Sequence, residues 1–162
     1  MTLDEELTSV PVPRSLAKRR ADARQRLETG FQLWLATGSD GRGAHLIPVA
    51  YVWDGSVLYT ATFAGSRTVL NAKAHPRIRV ALGETADVVM IDASASTVEV
   101  ADIDDDIAER YAKVSTDPRT APAGRFVYLR LRPRRIQVWN GFHERVGRTV
   151  MLDGRWLESA VD

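Results

Sequence analysis

The residues of this chain best suited to handling an anion stand in one short stretch. Leu58-Tyr-Thr-Ala-Thr-Phe-Ala-Gly-Ser-Arg-Thr68 leaves an alternating apolar segment, turns through Ala64-Gly65 and presents Ser66, Arg67 and Thr68, with Asn71 just beyond. Hydroxyls, a guanidinium that stays charged and offers a planar fork, and backbone N–H groups freed beside a glycine form a compact phosphate-binding set. Taken alone, the triplet is more economically a solvated turn, because many strand-to-helix connections carry a Ser and an Arg. Other chemistries have less to stand on. The chain has no cysteine, which removes disulfides, thiolate metal sites and thiol catalysis. His45, His75 and His143 are too scattered for metal-ligand spacing, and no nucleophile elbow or Ser-His-Asp order is visible. His45 lies in an apolar strand and reads as structural, His75 ends a short helix before Pro76, and His143 is a loop residue beside Glu144. Trp139, read by itself, is a core anchor.

These residues must be carried by a fold of 162 residues with 44% hydrophobic and 27% charged content, the composition of one ordinary globular domain. A net charge of +1 argues against nucleic acid or an anionic membrane as a whole-molecule partner. Charge is nonetheless uneven. Arg125, Arg130, Arg132, Arg134 and Arg135 face no acid in their own stretch, whereas Asp102, Asp104, Asp105, Asp106 and Glu109 form an acidic one. Both read as solvated faces. Arg14, Lys18, Arg19, Arg20, Arg24 and Arg26 fit the outer face of an amphipathic helix, without the interleaved aromatics of a nucleic-acid arm. The acidic start lacks a signal-peptide pattern, and no apolar run approaches the ~20 residues of a membrane span, so a cytoplasmic protein is expected.

Residues 1–14 read as an irregular arm, and residues 15–162 as a single domain. Ser15 can cap a helix that runs to about Glu28 and stops at Gly30. Strands are expected at Phe31–Thr37, His45–Trp53 and Val57–Thr60, joined by Asp-Gly turns into an antiparallel meander. A helix over Arg67–Ala74 ends at His75-Pro76. Further strands are expected at Arg77–Leu82, Val88–Ile91, Ser96–Val100, Phe126–Arg132 and Arg135–Trp139, with an acid-capped helix over 103–114 and a terminal hairpin over Val150–Trp156. Many short strands with helices outside point to a small, mainly β barrel, since closure removes exposed edges.

The order of these pieces resembles the pyridoxamine 5′-phosphate oxidase-like superfamily, the flavin/deazaflavin oxidoreductases, whose fold is a split β-barrel. Trp34-Leu-Ala-Thr37, Asp40-Gly41 and His45-Leu-Ile-Pro-Val49 are similar to its opening hairpin, and Trp53-Asp-Gly55 with Leu58-Tyr-Thr60 to its second turn and third strand. Gly65-Ser-Arg67, Asn71 and His75-Pro-Arg77-Ile-Arg-Val resemble its phosphate turn, helix and following strand. Arg132-Pro-Arg-Arg-Ile-Gln-Val-Trp-Asn-Gly141 with Arg145 is similar to its C-terminal segment. The resemblance implies a homodimer with cofactor sites at the subunit interface. It places His45, Ile47, Pro48 and Val49 along a flavin-type ring, and Tyr59 and Thr60 near the ring and ribityl chain. It also places Ser66, Arg67, Thr68 and Asn71 at the phosphate end, with Trp139 and Arg145 reaching in from the C-terminal segment.

The departures are informative. Thr68 and Val49 stand where the authentic oxidases have lysines, and Arg145-Val-Gly147 replaces their Arg-x-His. Each lost charge-assisted contact is worth about 1.5–3 kcal/mol, which argues against oxidation of a vitamin B6 phosphate. The pattern is closer to the branch that uses coenzyme F420, with FMN as the alternative cofactor. The expected activity is hydride transfer to a small organic acceptor, the cofactor supplying the chemistry and the protein its position. A non-catalytic protein that binds or carries flavin, F420 or haem is the competing expectation.

Overall fold

A computed structural model describes residues 10–161. Helix α1 (Leu16–Thr29) begins where the Ser15 hydroxyl accepts a hydrogen bond from the Lys18 amide, and ends at Gly30, whose amide donates to the Arg26 carbonyl. A Cβ at residue 30 would collide with the Tyr51 hydroxyl and lie 2.7 Å from the Arg26 carbonyl oxygen, so this position excludes any side chain. Strands β1 (Gln32–Ser39) and β2 (Gly43–Ala50) form the expected hairpin. The apolar run then breaks at Tyr51: β3 (Val52–Trp53) is a separate strand that pairs with β4 (Leu58–Phe63). Helix α2 (Arg67–Ala74) leads into β5 (Arg77–Gly83).

Four expected strands are in fact two. Strand β6 (Asp87–Glu99) and strand β7 (Phe126–Asn140) each run unbroken and pair with one another along their length. Asp92-Ala-Ser94 and Pro133-Arg134 look like interruptions in sequence, but one bulge absorbs both: Asp92 pairs with Arg135 and Ala93 with Pro133. Between β6 and β7 lies α3 (Asp105–Ala112), shorter than the expected 103–114 and capped by Asp104. Strands β8 (Thr149–Leu152) and β9 (Arg155–Trp156) form the terminal hairpin.

The expected meander does not form, because β4 pairs with β7 rather than with β2. The strand order is β2-β1-β5-β6-β7-β4-β3. Strands β2 and β3 thus end opposite sides of the path, yet only Tyr51 separates them in sequence. Two successive Cα–Cα steps span at most about 8 Å, so the sheet has to curl until its two ends meet. Strand β7 is shared lengthwise: its first half pairs with β4 and its second half with β8, and the Pro133 bulge divides the two. Inside the curl, Leu35, Leu58, Val80, Ile91, Leu129 and Ile136 form the main core, while Tyr59, Tyr111 and Tyr128 anchor a second cluster beneath α3. Among the described residues no helix is long and apolar enough to cross a membrane.

The helix α1 cations are only partly a solvated face: Lys18 and Arg24 are exposed, while Arg19, Arg20 and Arg26 turn toward the barrel. Arg19 is 6% exposed, on the buried side with Ala23 and Leu27, and donates to the Arg14 and Val146 carbonyls. Arg20 holds the Leu157 carbonyl, Arg26 the Asp87 carbonyl and carboxylate, Lys18 holds Asp22, and Arg24 lies over the Trp156 ring. The barrel rim offers carbonyls and a carboxylate at the reach of an arginine stem, so Arg19, Arg20 and Arg26 fasten the helix, while the Lys18–Asp22 pair stays within it.

Candidate functional site

Ser66 is the N-cap of α2: its hydroxyl accepts from the Val69 amide at 3.3 Å, and its own amide donates to Phe63. The amides of Arg67 and Thr68 belong to the first turn, which has no intrahelical acceptor and carries the positive end of the helix dipole. The Arg67 guanidinium donates to the Arg42 carbonyl at 2.5 Å, tying the helix to the β1–β2 turn, while its Nε is buried without a partner. The first-turn amides and a buried guanidinium N–H without a partner are the donor types that an oxyanion takes.

Behind this turn, the Thr68 hydroxyl lies 3.2 Å from His45 Nε2, and Asn71 donates to the Thr37 hydroxyl at 3.1 Å. Thr37 and His45 are direct partners in the β1–β2 ladder, so two polar pairs bolt α2 to adjacent positions of one hairpin. Thr68 and Asn71 are each 2% exposed. They orient the turn from below, and the Thr68 side chain is spoken for by His45.

Strand alternation separates residues that are neighbours in sequence. His45, Ile47 and Val49 are half-buried, the latter two against the main core, whereas Pro48 is exposed on the opposite face, where it pairs with Trp34. Thr60 is fully buried with its hydroxyl unpartnered. Tyr59 points the other way, into the cluster under α3, and donates to the Asp54 carboxylate at 3.1 Å. Burial pulls the Asp54 carboxyl up, but hydrogen bonds from the Ser56 and Val57 amides and from Tyr59 outweigh it and hold the group below the usual carboxylate range. Tyr59 and Thr60 therefore do not share a face, and neither meets solvent beside Ser66.

The C-terminal candidates lie far from the turn. Ala64 donates to the Arg125 carbonyl at 3.0 Å, which sets the 64–68 turn at the beginning of β7, whereas Trp139 stands near its end. At about 3.3 Å per residue, that is about 40 Å along the strand. Trp139 is half-buried beneath the Arg148 guanidinium, 5.2 Å from its ring centre, and exposed Arg145 lies over Phe142. Concavities of 650 and 680 Å³ open elsewhere, between α3 and the 117–124 loop and over β5 and β6, and neither is lined by residues 66–68.

Sequence reasoning passed over Glu144. Its carboxylate, 1% exposed, accepts from the Arg14 amide and guanidinium and from the Asn140 amide. Arg14 also reaches Asp22 and Asp87, so the end of the N-terminal arm, α1, β6 and the 142–144 turn that precedes Arg145 converge on one ion cluster. The Arg14 hydrogen bond holds the Glu144 carboxyl down at about 2 against the opposing effect of burial. A single acid in a loop carried no local signal. The stacked pair Phe63–Phe126, with Arg125 over Phe63, also flanks the turn and was not singled out.

A curled antiparallel sheet divided along its longest strand, with an anion-competent turn at one end of that strand, defines a split barrel. The sequence pattern of the pyridoxamine 5′-phosphate oxidase family matches residues 20–140, and the chain belongs to that family. Among solved structures, the chain is similar to a Listeria innocua protein provisionally named a pyridoxamine 5′-phosphate oxidase (22% identity, TM-score 0.61, covering 75% of this chain and 98% of that one). It is also similar to an F420 reductase (19%, TM-score 0.57, 70% and 94%). A third similar structure is an FAD-binding protein from Mesorhizobium loti (20%, TM-score 0.57, 77% and 92%). At these identities the structures share the fold. Comparison with curated proteins gives no match.

Proposed function

We propose that this protein is an oxidoreductase that binds a flavin-type cofactor, coenzyme F420 in preference to FMN, between two copies of the chain. When bound, the cofactor supplies hydride transfer to a small organic acceptor. The observation that carries the reading is the separation along β7. The 66–68 turn and the Trp139–Arg145 segment stand at opposite ends of a fifteen-residue strand, so a site that uses both draws them from different subunits. In this reading the Arg67 and Thr68 amides and the Arg67 guanidinium receive the phosphate, with Ser66 capping the turn. His45, Thr68 and Asn71 hold that turn in place, and Trp139 and Arg145 of the second copy close the site against water. Val49 leaves no cation on β2, and the Thr68 hydroxyl is engaged with His45, so the turn has little charge for the compact terminal phosphate of FMN. That favours a cofactor whose further anionic groups are met elsewhere. The absence of a nucleic-acid or membrane partner, and a cytoplasmic setting, belong to the same proposal.

Titration of the purified protein with both cofactors tests it. F420 is expected to bind at least ~10-fold more tightly than FMN, a gap of about 1.4 kcal/mol. Protein that retains yellow FMN and has no measurable affinity for F420 reverses the assignment. Arg67→Ala is expected to weaken cofactor binding by about ten- to a hundredfold; unchanged affinity in a folded variant moves the phosphate away from this turn. Light scattering at micromolar concentration should give twice the 18.0 kDa chain mass. A monomer would leave the site without its second wall.

A further inference from the structure

The outer face of β5, β6 and β7 carries more positive charge than its own ion pairs consume. Arg77 pairs with Ser94 and Ser94 with Arg132, so the register places two arginines on either side of one hydroxyl in a single row. Two strand spacings separate them by about 10 Å. In the next row Asp92 is shared between Arg79 and Arg135, at 2.7 and 2.6 Å. Arg134 is the residue left over in the bulge, since Asp92 pairs with Arg135 and Ala93 with Pro133. Pro133 has no amide to return to the ladder, and the Arg134 carbonyl accepts from Gly154 at 2.9 Å, so the backbone at this bulge is fixed on both sides. Among the described residues, Arg77, Arg132 and Arg134 have no ion-pair partner. Five arginines thus stand against two aspartates, Asp92 in this row and Asp153 beyond Arg132.

These side chains border two hollows. One of 680 Å³ is lined by Arg77, Arg79, Arg134, Asp92, Ser94 and Thr37, and one of 390 Å³ by Arg132, Arg134 and Asp153; Arg134 belongs to both. The first is of a size that holds small molecules. We propose that this groove, centred on Arg134, is a binding site for an extended small molecule bearing two or more carboxylate or phosphate groups. Guanidinium forks spaced by a hydroxyl suit oxyanions set apart along a chain better than a single phosphate. The inference does not rest on the cofactor reading, because the groove shares no residue with the 66–68 turn.

Calorimetric titration of the full chain with inorganic tripolyphosphate and, separately, with triglutamate tests the site, and the two arms distinguish a phosphate ligand from a carboxylate one. Saturable 1:1 binding of at least one probe is expected, weakening as sodium chloride rises because the groove is exposed. Arg134→Ala and Arg77→Ala should each weaken it about tenfold or more. Lys113→Ala, which removes the same charge just beyond α3, should leave it unchanged. Absence of saturable heat with both probes overturns the proposal. So does equal weakening by Lys113→Ala and Arg134→Ala, or tighter binding of a DNA duplex than of either probe. All three variants change exposed side chains, and matching melting temperatures confirm that they fold.

Discussion

Glu144→Ala is expected to cost about 3–5 kcal/mol of folding stability, the range for removing one partner of a buried ion pair. For a chain of this length that lowers the melting temperature by about 10 °C. The reason lies in what the substitution strands. Arg14 loses its principal acceptor, the Asn140 amide loses its side-chain acceptor, and Asp22 and Asp87 remain crowded around a less constrained guanidinium. The same carboxylate gives the effect a pH signature. Its pKa is depressed from 4.5 to about 2 on folding, so its contribution is fully present above about pH 4.5 and is lost as the pH falls through about 2. That shift corresponds to about 3 kcal/mol. Urea unfolding of wild type and variant from pH 6 to pH 2 should show the gap between them closing with acid. A gap that stays constant would mean that Glu144 acts by shape alone.

Tyr51→Ala is the second large effect, at about 3–5 kcal/mol. The side chain is 1% exposed, and its hydroxyl donates to the Arg26 and Leu27 carbonyls at 3.0 and 3.2 Å, satisfying the last turn of α1. Its amide donates to Phe31, holding the chain at the point where β2 gives way to β3. Burial pushes the phenol up to about 12, so it stays a donor across the accessible pH range. Tyr51→Phe keeps the ring and should cost only about 1–2 kcal/mol. Denaturant melts of the two variants separate the terms. A cost below about 1 kcal/mol for the alanine variant would show that the joint between the sheet ends holds without this side chain.

Local rules predict the local parts of this fold. The Ser15 and Ser66 caps, the Gly30 stop and the span of α2 follow from residues adjacent to the ends they define. The long strands did not announce themselves, because what carries β6 through Asp92 and β7 through Pro133 is their pairing with each other, which no window along the chain contains. The break at Tyr51 was equally hidden: no glycine or proline marks it, and it exists because two ends of a distant strand order must meet there. At the candidate site, the turn with its hydroxyl, amide and guanidinium donors was legible as a motif. Period-two alternation would have separated Tyr59 from Thr60 and Pro48 from its neighbours, so that signal was present and unused. The Glu144 cluster was not legible, since its partners come from four places in the sequence. The cations of α1 misled for a related reason: a helix wheel shows which side they leave from, but not that carbonyls wait at their reach.

The pairing of β4 with β7 has a consequence for the chain while it is being made. Leu58 waits for Leu131, and Phe63 for Phe126, before the edge of β4 has a partner. At synthesis rates of about 5–20 residues per second, that interval is on the order of several seconds. Throughout it, Leu58-Tyr-Thr-Ala-Thr-Phe63 is an uncharged, proline-free segment of high strand propensity, the kind that pairs with copies of itself. Its other partner in the finished sheet, already made in that window, is β3, two residues long. The finished barrel's stability does nothing for the chain in that interval, so a holding chaperone that covers this hexapeptide during synthesis is expected to raise soluble yield more than a stabilising core substitution.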